Sequence, residues 1–564
     1  DRINYHRTLL GDAAITYAQH DDRIRRLVDT DGDHKADRSD LFANGFNQLE
    51  EGTGAGVLVR GNDVYYTCIP RLWKLTDDDD DGVADKRVAL SDGYGVRVAF
   101  RGHDMHGLIK GPDGRIYFSI GDRGYHVTTG DGKVLANPAV GAVFRCEPDG
   151  SGLEVVCNGL RNPQELAFNE LGDWFTVDNN SDSGDKSKVF HLLEKADYGW
   201  RMYYQYLPTR GPYNEERLWE PMHPEQAAYI VPALANFTDG PSGLAFYPGT
   251  GFGDDLKDTF LICDFRGTPS NSGVRSFKLD PQGATYSFGN EAQPVWSVLA
   301  TDVGFGPDGA MYVSDWVDGW DGVGKGRIYR LTHPVHSESE IVAEVRAILA
   351  SDWSERATPQ LLTDLSHRDQ RVRLEAQWEL AGRVELAALL TVAKDTKQTM
   401  LARLHAIWGA DQIARLDTTK NSELVAAIAP LAADSDAVIR AAVANVLGDR
   451  SDAASVPALQ KMITDESLRV RYFAAMSLAK LKAGSAMPLA IQMIAENNNR
   501  DPALRHAGQV YLASACTADS LAKLNKHENA AVRRSAVVAL RRMKSGEVTK
   551  FLADESTAIA LEAA

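Results

Sequence analysis

The sequence predicts a two-domain chain: a six-bladed β-propeller over residues 1–335, followed by an α-solenoid of HEAT-type repeats over 336–564. Three observations predict it. The chain has 564 residues, and single hydrophobic cores stop growing near ~250–300 residues. A strand–turn–strand unit recurs through the first part. A helical pattern rich in Ala, Leu and Arg recurs through the second.

In the first part the apolar runs are short and bounded by Gly and Asp. They are VLVRGNDVYYTCI (57–69), GLIKGPDGRIYFSIGD (107–122), ELAFNELGDWFTVDN (165–179), GLAFYPGTGFGDDLKDTFLICDF (243–265) and VGFGPDGAMYVSDW (303–316). Each reads as two strands joined by a turn. Each leads to a strand of basic or aromatic alternation: RLWKL, GAVFRC, SKVFHLL, GVRSFKL and GRIYRL, with RIRRL (23–27) as a sixth copy. Antiparallel units repeated radially make a propeller, so six copies predict six blades. The first blade lacks a convincing inner pair, because residues 1–20 are poor strand formers.

After residue 340 a short motif recurs around Arg373, Arg403, Arg440, Arg471, Arg505 and Arg533, at spacings of 28 to 37 residues. That spacing fits one helix pair per repeat. Each Arg is expected to meet a turn carboxylate or carbonyl of its neighbour. This half reads as scaffold or protein-docking surface, not as a catalytic unit.

Composition narrows the function. Apolar residues make up 44% and charged residues 25%, which excludes wholesale disorder. No run approaches the ~18 apolar residues of a membrane-spanning helix. The net charge of -17 argues against nucleic acid as a partner and leaves cations, neutral substrates and basic proteins open. The five cysteines form no CxxC or CxxCH, which excludes a zinc ribbon, a thioredoxin motif and covalent c-type haem in this portion. Cys146 with Cys157, and Cys68 with Cys263, are placed for disulfides or for buried thiols. The chain starts at Asp1 and stops inside a helical pattern, so a removed leader and a missing C-terminal segment are expected.

Two acidic loops carry metal-ligand spacing. Asp29, Asp31, Asp33, Asp37 and Asp40 stand at positions 1, 3, 5, 9 and 12 of an EF-hand-like loop, with His34 at position 6, where Gly is usual. Asp77, Asp79, Asp81 and Asp85 repeat positions 1, 3, 5 and 9, with Gly82 at 6. Both follow a blade strand and precede another, which predicts Ca²⁺ at the outer blade edges.

Antiparallel order predicts the catalytic face. The ends of second strands and the approaches to first strands meet next to the axis. Asp122, Asp178, Asp264 and Asp315 end second strands; His103 and His106, Arg161 and Asn162, Asp239, and Asp302 precede first ones. An imidazole, guanidiniums and carboxylates on one funnel make a candidate site. His103 and His106 with carboxylates would also suit a transition metal.

At GHDMHGLIKGPDGRIYFSIGDRG (102–124), GLRNPQELAF (159–168) and DNNSDSGDKSKVFHLLEKADYGW (178–200), the chain resembles the soluble PQQ-dependent sugar and sorbosone dehydrogenases. The whole chain, with FRGTPSNSGVRSFKL and SDWVDGWDGVGKGRIYR, is similar to planctomycete-type proteins named membrane-bound dehydrogenases. Those join such a propeller to HEAT repeats and a C-terminal CxxCH cytochrome. The resemblance implies that His103 acts as base, with His106 and Asp122 beside it. It implies that Arg161 and Asn162 hold PQQ, with Arg123, Arg266 and Asp302 on the same wall. It implies that Asp178 and Asn179 hold Ca²⁺. It implies a carbohydrate substrate, a cytochrome c-type acceptor and a periplasmic or secreted location. The paired arginines expected before the last GPDG-like turn are absent. A metal-dependent hydrolase or lyase, and a non-catalytic carbohydrate- or protein-binding scaffold, are the other readings.

Overall fold

The computed structural model describes residues 2–97, 102–182, 184–201, 215–219, 228–319 and 324–564. Positions 320–323 of the SDWVDGWDGVGK stretch and Ser183 of the DNNSDSGD stretch therefore lie outside it. Five sheets stand side by side in chain order. The first four are four-stranded: from Gly54–Arg60 to Lys86–Asp92, from Met105–Lys110 to Glu154–Leu160, from Pro163–Phe168 to Ala235–Asn236, and from Pro241–Phe246 to Thr285–Trp296. The fifth has three strands, Ala300–Phe305, Met311–Asp315 and Arg327–Leu331. First strands of successive sheets pack on one another and form the inner ring. These are five blades, not six. The unit expected as a first blade is only a hairpin, Asp22–Val28 with Arg38–Phe46. The residues before it are helical over Arg2–Leu10 and Gly11–Ala18 and supply no inner strands.

The second strand of each four-stranded blade is almost wholly buried, as in Asp63–Cys68, Ile116–Ile120 and Thr259–Asp264. This is why those runs read as continuous apolar stretches. All five cysteines are free thiols. Cys146 stands opposite Ile116 and Cys157 opposite Val143, so the two do not face each other.

From Glu340–Leu349 onward the chain is helical. The repeated arginines do what their spacing implies. Arg403 pairs with Asp434, Arg440 with Asp465, and Arg533 with Asp554 at 2.8 Å, while Arg440 and Arg533 also donate to turn carbonyls. Arg373 donates to the His367 and Arg368 turn carbonyls and also reaches Glu170 of the propeller, whereas Arg505 points to the Ile230 carbonyl.

The solenoid is seated on the propeller. Helix Gln370–Gly382 lies across the axis, on the face where first and second strands turn, and touches every blade. Arg60 pairs with Glu375 at 2.6 Å, and the Pro112 carbonyl accepts from Gln377 at 2.5 Å. The Asn169 carbonyl accepts from the Gln370 side chain at 3.1 Å, and the Pro248 carbonyl accepts from its backbone N–H at 2.8 Å. Arg371 donates to the Phe305 and Gly306 carbonyls at 2.9 and 2.8 Å. One apolar cluster runs from Tyr117, Phe168 and Leu192 of the propeller through the solenoid to Ile559.

Buried histidines at this interface make stability pH-dependent. His506 Nε2 donates to the Glu194 carbonyl at 2.8 Å, and burial pushes its pKa down to about 3. Above pH ~6.5 the imidazole is neutral in both states; below it the unfolded chain binds a proton that the folded chain refuses, so stability is lost as pH falls toward 3. We expect the urea midpoint of the wild type to fall between pH 6.5 and 4.5, this group contributing about 1–3 kcal/mol. His506→Gln should flatten that fall.

Candidate active site in the axial funnel

The face opposite the solenoid opens into a cavity of about 1610 Å3 on the propeller axis. Antiparallel pairing of Met105 with Ile120 brings the approach to one strand beside the exit of the next. Gly121 lies between them, so close that a Cβ there would stand 2.7 Å from the His103 carbonyl oxygen. Only glycine allows this approach, which sets Asp122 against His103.

His103 Nδ1 lies 2.8 Å from Asp122 Oδ1, and Asp122 Oδ2 accepts from Trp200 Nε1 at 2.7 Å. Asp122 is fully buried and His103 nearly so. Burial pushes the His103 pKa below its usual value, more than the Asp122 charge raises it. The neutral ring therefore donates from Nδ1–H to Asp122, which makes Nε2 the basic nitrogen. His106 Nε2 donates to the Gly102 carbonyl at 2.8 Å.

Arg161 and Asn162 follow the next blade junction. Asp178 holds both of their backbone amides, at 2.8 and 2.6 Å, and burial raises its carboxyl to about 6. Arg161 is buried and reaches the Asn180 carbonyl and Asp182. Asn162 Oδ1 is buried with no hydrogen-bond partner among the described residues. Arg123 pairs with Asp104 at 3.0 Å; Arg266 pairs with Asp239 at 3.0 Å and Asp264 at 2.8 Å. Asp302 meets solvent through the cavity, and its depth raises its carboxyl to about 6. Burial, and then Asp302, hold Glu165 well above the usual carboxylate range.

The structure brings His103, His106, Arg123, Arg161, Asn162, Asn179, Arg266 and Asp302 onto one cavity wall. The strand-ending carboxylates Asp122, Asp178, Asp264 and Asp315 stand behind that wall rather than on it. Asp178 is turned to the backbone amides of Arg161 and Asn162. The carboxylates that do line the cavity are Asp22, Glu51, Asp104, Glu165, Asp182, Asp239 and Asp302. Asp22, Glu51 and Glu165 carried no motif. Glu165 had one usable signal: a charge directly after Arg161-Asn162-Pro163-Gln164, at the start of an inner strand.

The wall offers a polycarboxylate quinone three guanidiniums, Arg123, Arg161 and Arg266; the unpartnered Asn162 Oδ1 is an acceptor and can meet only a donor. Seven carboxylates face those three guanidiniums among the described residues. A multiply anionic group therefore fits only together with a cation. No His-containing metal-ligand group occurs among the described residues.

The acidic loops fold as their spacing predicts. Asp29, Asp31 and Asp37 converge, as do Asp77, Asp79 and Asp85, each set with oxygens within 4.8 Å. In both loops the position-1 carboxylate accepts the position-6 amide, His34 N at 2.8 Å and Gly82 N at 2.9 Å. Position 6 takes positive φ in both, +68° at His34 and +87° at Gly82, which glycine adopts without strain. Asp33 turns to Lys35, Asp81 to the Val83 amide, and Asp40 to Arg38.

Fold and site thus define a β-propeller seated on a helical solenoid, with a buried His–Asp pair on the propeller axis. The chain belongs to the family described as "Domain of unknown function (DUF7133)", which it matches over residues 5–334; residues 424–513 match HEAT repeats. No curated protein matches the chain. Among solved structures it is similar to a PQQ-bound aldose sugar dehydrogenase from Streptomyces coelicolor (18% identity, 56% of this chain and 88% of that one, TM-score 0.36). It is also similar to the PQQ domain of a pyranose dehydrogenase from Coprinopsis cinerea (13%, 54% and 86%, TM-score 0.33). A third is a gluconolactonase from Xanthomonas campestris (16%, 49% and 72%, TM-score 0.26).

Trp200 tests the buried triad. Trp200→Phe leaves Asp122 Oδ2 buried without its donor, and we expect a loss of about 1–3 kcal/mol in urea unfolding.

Proposed function

We propose that the propeller is a quinoprotein-like dehydrogenase that oxidises a sugar or a related alcohol in the axial funnel. The observation that carries this reading is the His103–Asp122 contact, completed by Trp200. It holds a neutral imidazole in one tautomer, with the basic nitrogen at the cavity that a polyhydroxylated substrate would enter. In this reading His103 Nε2 takes the substrate hydroxyl proton, and Asp122 stabilises the resulting imidazolium. A bound quinone supplies the hydride acceptor. Arg161, Arg123 and Arg266 would hold its carboxylates, and the Asn162 amide would meet its ring oxygens. The excess of carboxylates on the wall implies that Ca²⁺ accompanies it. We further propose a periplasmic or secreted location and a cytochrome c-type electron acceptor. A metal hydrolase centred on His103 and His106 is less favoured, because Nδ1 of the first and Nε2 of the second are held by Asp122 and the Gly102 carbonyl.

The test is reduction of an artificial dye by the protein with PQQ, Ca²⁺ and a panel of aldoses and polyols. Activity is expected only with both additions. His103→Ala should lower kcat/KM by about 10²–10⁴. Because burial depresses the His103 pKa, the base stays neutral to below pH ~6.5, and kcat/KM should fall only beneath that value. No dye reduction with any substrate sinks the reading.

We also propose that the two acidic loops bind Ca²⁺ and stiffen the hairpin and the first blade. The second set repels itself without a cation, as the raised carboxyl of Asp79 beside Asp81 and Asp85 reflects. Thermal unfolding should shift upward with Ca²⁺ and downward with EDTA. The double variant Asp29→Asn and Asp77→Asn should remove most of the response; an unchanged response would exclude these loops.

A further inference from the structure

Below the funnel the axial channel continues as a cavity of about 320 Å3. Each blade lends it an apolar side chain from its first strand: Val57, Leu108, Leu166, Leu244 and Val303. Helix Gln370–Gly382 closes the floor. Arg371 on that floor is committed to Asp369 and to the Phe305 and Gly306 carbonyls. First strands of neighbouring blades pack together at the other junctions, but between the fifth blade and the first, among the described residues, Ala300–Phe305 and Gly54–Arg60 stand apart. Val57 and Val59 of the latter strand are 50% and 62% exposed. The cavity therefore has an apolar side mouth besides its connection to the funnel.

Lys110 is the cation on this wall that has no counter-ion among the described residues. Its Nζ lies 4.1 Å from the centre of the Trp378 ring and makes no ion pair. Arg60 lies over the same ring at 4.7 Å and takes both oxygens of Glu375, each at 2.6 Å. Arg60 and Glu375 are the charged groups that act on Lys110. Two cations thus share one carboxylate, which leaves an excess of one positive charge. Burial, and then Arg60, lower the Lys110 pKa to about 8, so the ammonium still prevails at pH 7. Trp378 Nε1 is likewise buried without an acceptor. A largely buried cation without a counter-ion costs free energy, and a bound anion removes that cost. The carboxylates on the wall, Glu165 and Asp302, stand at the upper end, where the cavity meets the funnel.

We propose that the lower channel binds an aliphatic monocarboxylate of medium chain length, with its carboxylate on Lys110 and its chain among the apolar first-strand residues. The chemistry follows from the wall. One unmatched cation calls for one anionic group, and the apolar surface beside it calls for a hydrocarbon body. Asp302 and Glu165 at the far end repel a second carboxylate, which excludes dicarboxylates. A cavity of about 150 Å3 holds one benzene ring. This one is about twice that size, so it takes a chain of roughly ten heavy atoms. The side mouth lets such a chain enter without passing the carboxylates of the funnel. The site is separate from His103, and the proposal does not rest on the dehydrogenase reading.

The test is isothermal titration of the full chain with octanoate and with octan-1-ol, which has the same chain and no charge. Octanoate is expected to bind with a Kd of about 0.05–1 mM, near the efficiency ordinary for a ligand of that size. Octan-1-ol should bind about tenfold more weakly or worse. Lys110→Met keeps the apolar stem and removes the charge. It should weaken octanoate about tenfold or more and leave octan-1-ol unchanged, so that the preference disappears. Val57→Trp fills the half-exposed mouth and should weaken both probes while the unfolding midpoint stays near wild type. If Lys110→Met does not fold, the wild-type preference and Val57→Trp decide the matter. Three results overturn the proposal: no octanoate binding to the wild type, octan-1-ol binding as tightly as octanoate, or octanoate binding unchanged in the folded variants. The last would place the ligand on the arginines of the funnel.

Discussion

Antiparallel strand order within each blade is the constraint on which the molecule depends. It sends every approach to a first strand, and every exit from a second, to one face of the ring. It sends every first turn to the other. The first face collects His103, Arg161 and Asp302 around the funnel. The second face collects turns whose carbonyls at Pro112, Asn169, Pro248 and Gly306 point outward and need donors. Helix Gln370–Gly382 supplies them, with at least one polar contact to each blade. The solenoid is therefore not an appended docking module on this side. It satisfies buried backbone groups that an isolated propeller would leave to water, and it covers the lower end of the axial channel, where Gln370, Arg371 and Leu374 stand below Glu165 and Asp302.

Much of this was legible in the sequence, for reasons that differ between elements. Second strands announced themselves because burial on both faces demands continuous apolar runs. The HEAT arginines announced themselves because most repeats use the same cation to close a turn, as Arg373, Arg440, Arg471 and Arg533 do. The metal-type loops were legible down to the positive φ at position 6. The blade count was not, since RIRRL has the alternation of an outer strand whether or not an inner pair exists beside it. The site was half legible. His103, Asp122, Arg161 and Asn162 lie within a few residues of strand ends, where antiparallel order fixes their face. Depth was not legible: a carboxylate that ends a second strand is drawn inward to cap amides, as Asp178 does, and so leaves the wall. The lining carboxylates Asp22 and Glu51 come from segments with no blade periodicity, and periodicity was the only ruler available.

The charge of the funnel is set by burial rather than by composition. A net charge of -17 and seven lining carboxylates suggest a site hostile to anions. Yet the depth that keeps His103 neutral also raises Asp302 to about 6 and holds Glu165 well above the usual carboxylate range. Low polarity disfavours whichever form is charged, so the same environment removes a positive charge from the imidazole and negative charge from the floor. Asp104, Asp182 and Asp239 are already neutralised by Arg123, Arg161 and Arg266. What is left is a floor where Glu165 is held neutral beside Asp302, which keeps its charge at pH 7, so the site is sensitive to any cation that enters. A divalent ion beside Asp302 would lower the Glu165 carboxyl back toward its ionised form and draw carboxylates away from the arginines. Cation and anionic cofactor would then each create the other's site, so that neither should bind well alone.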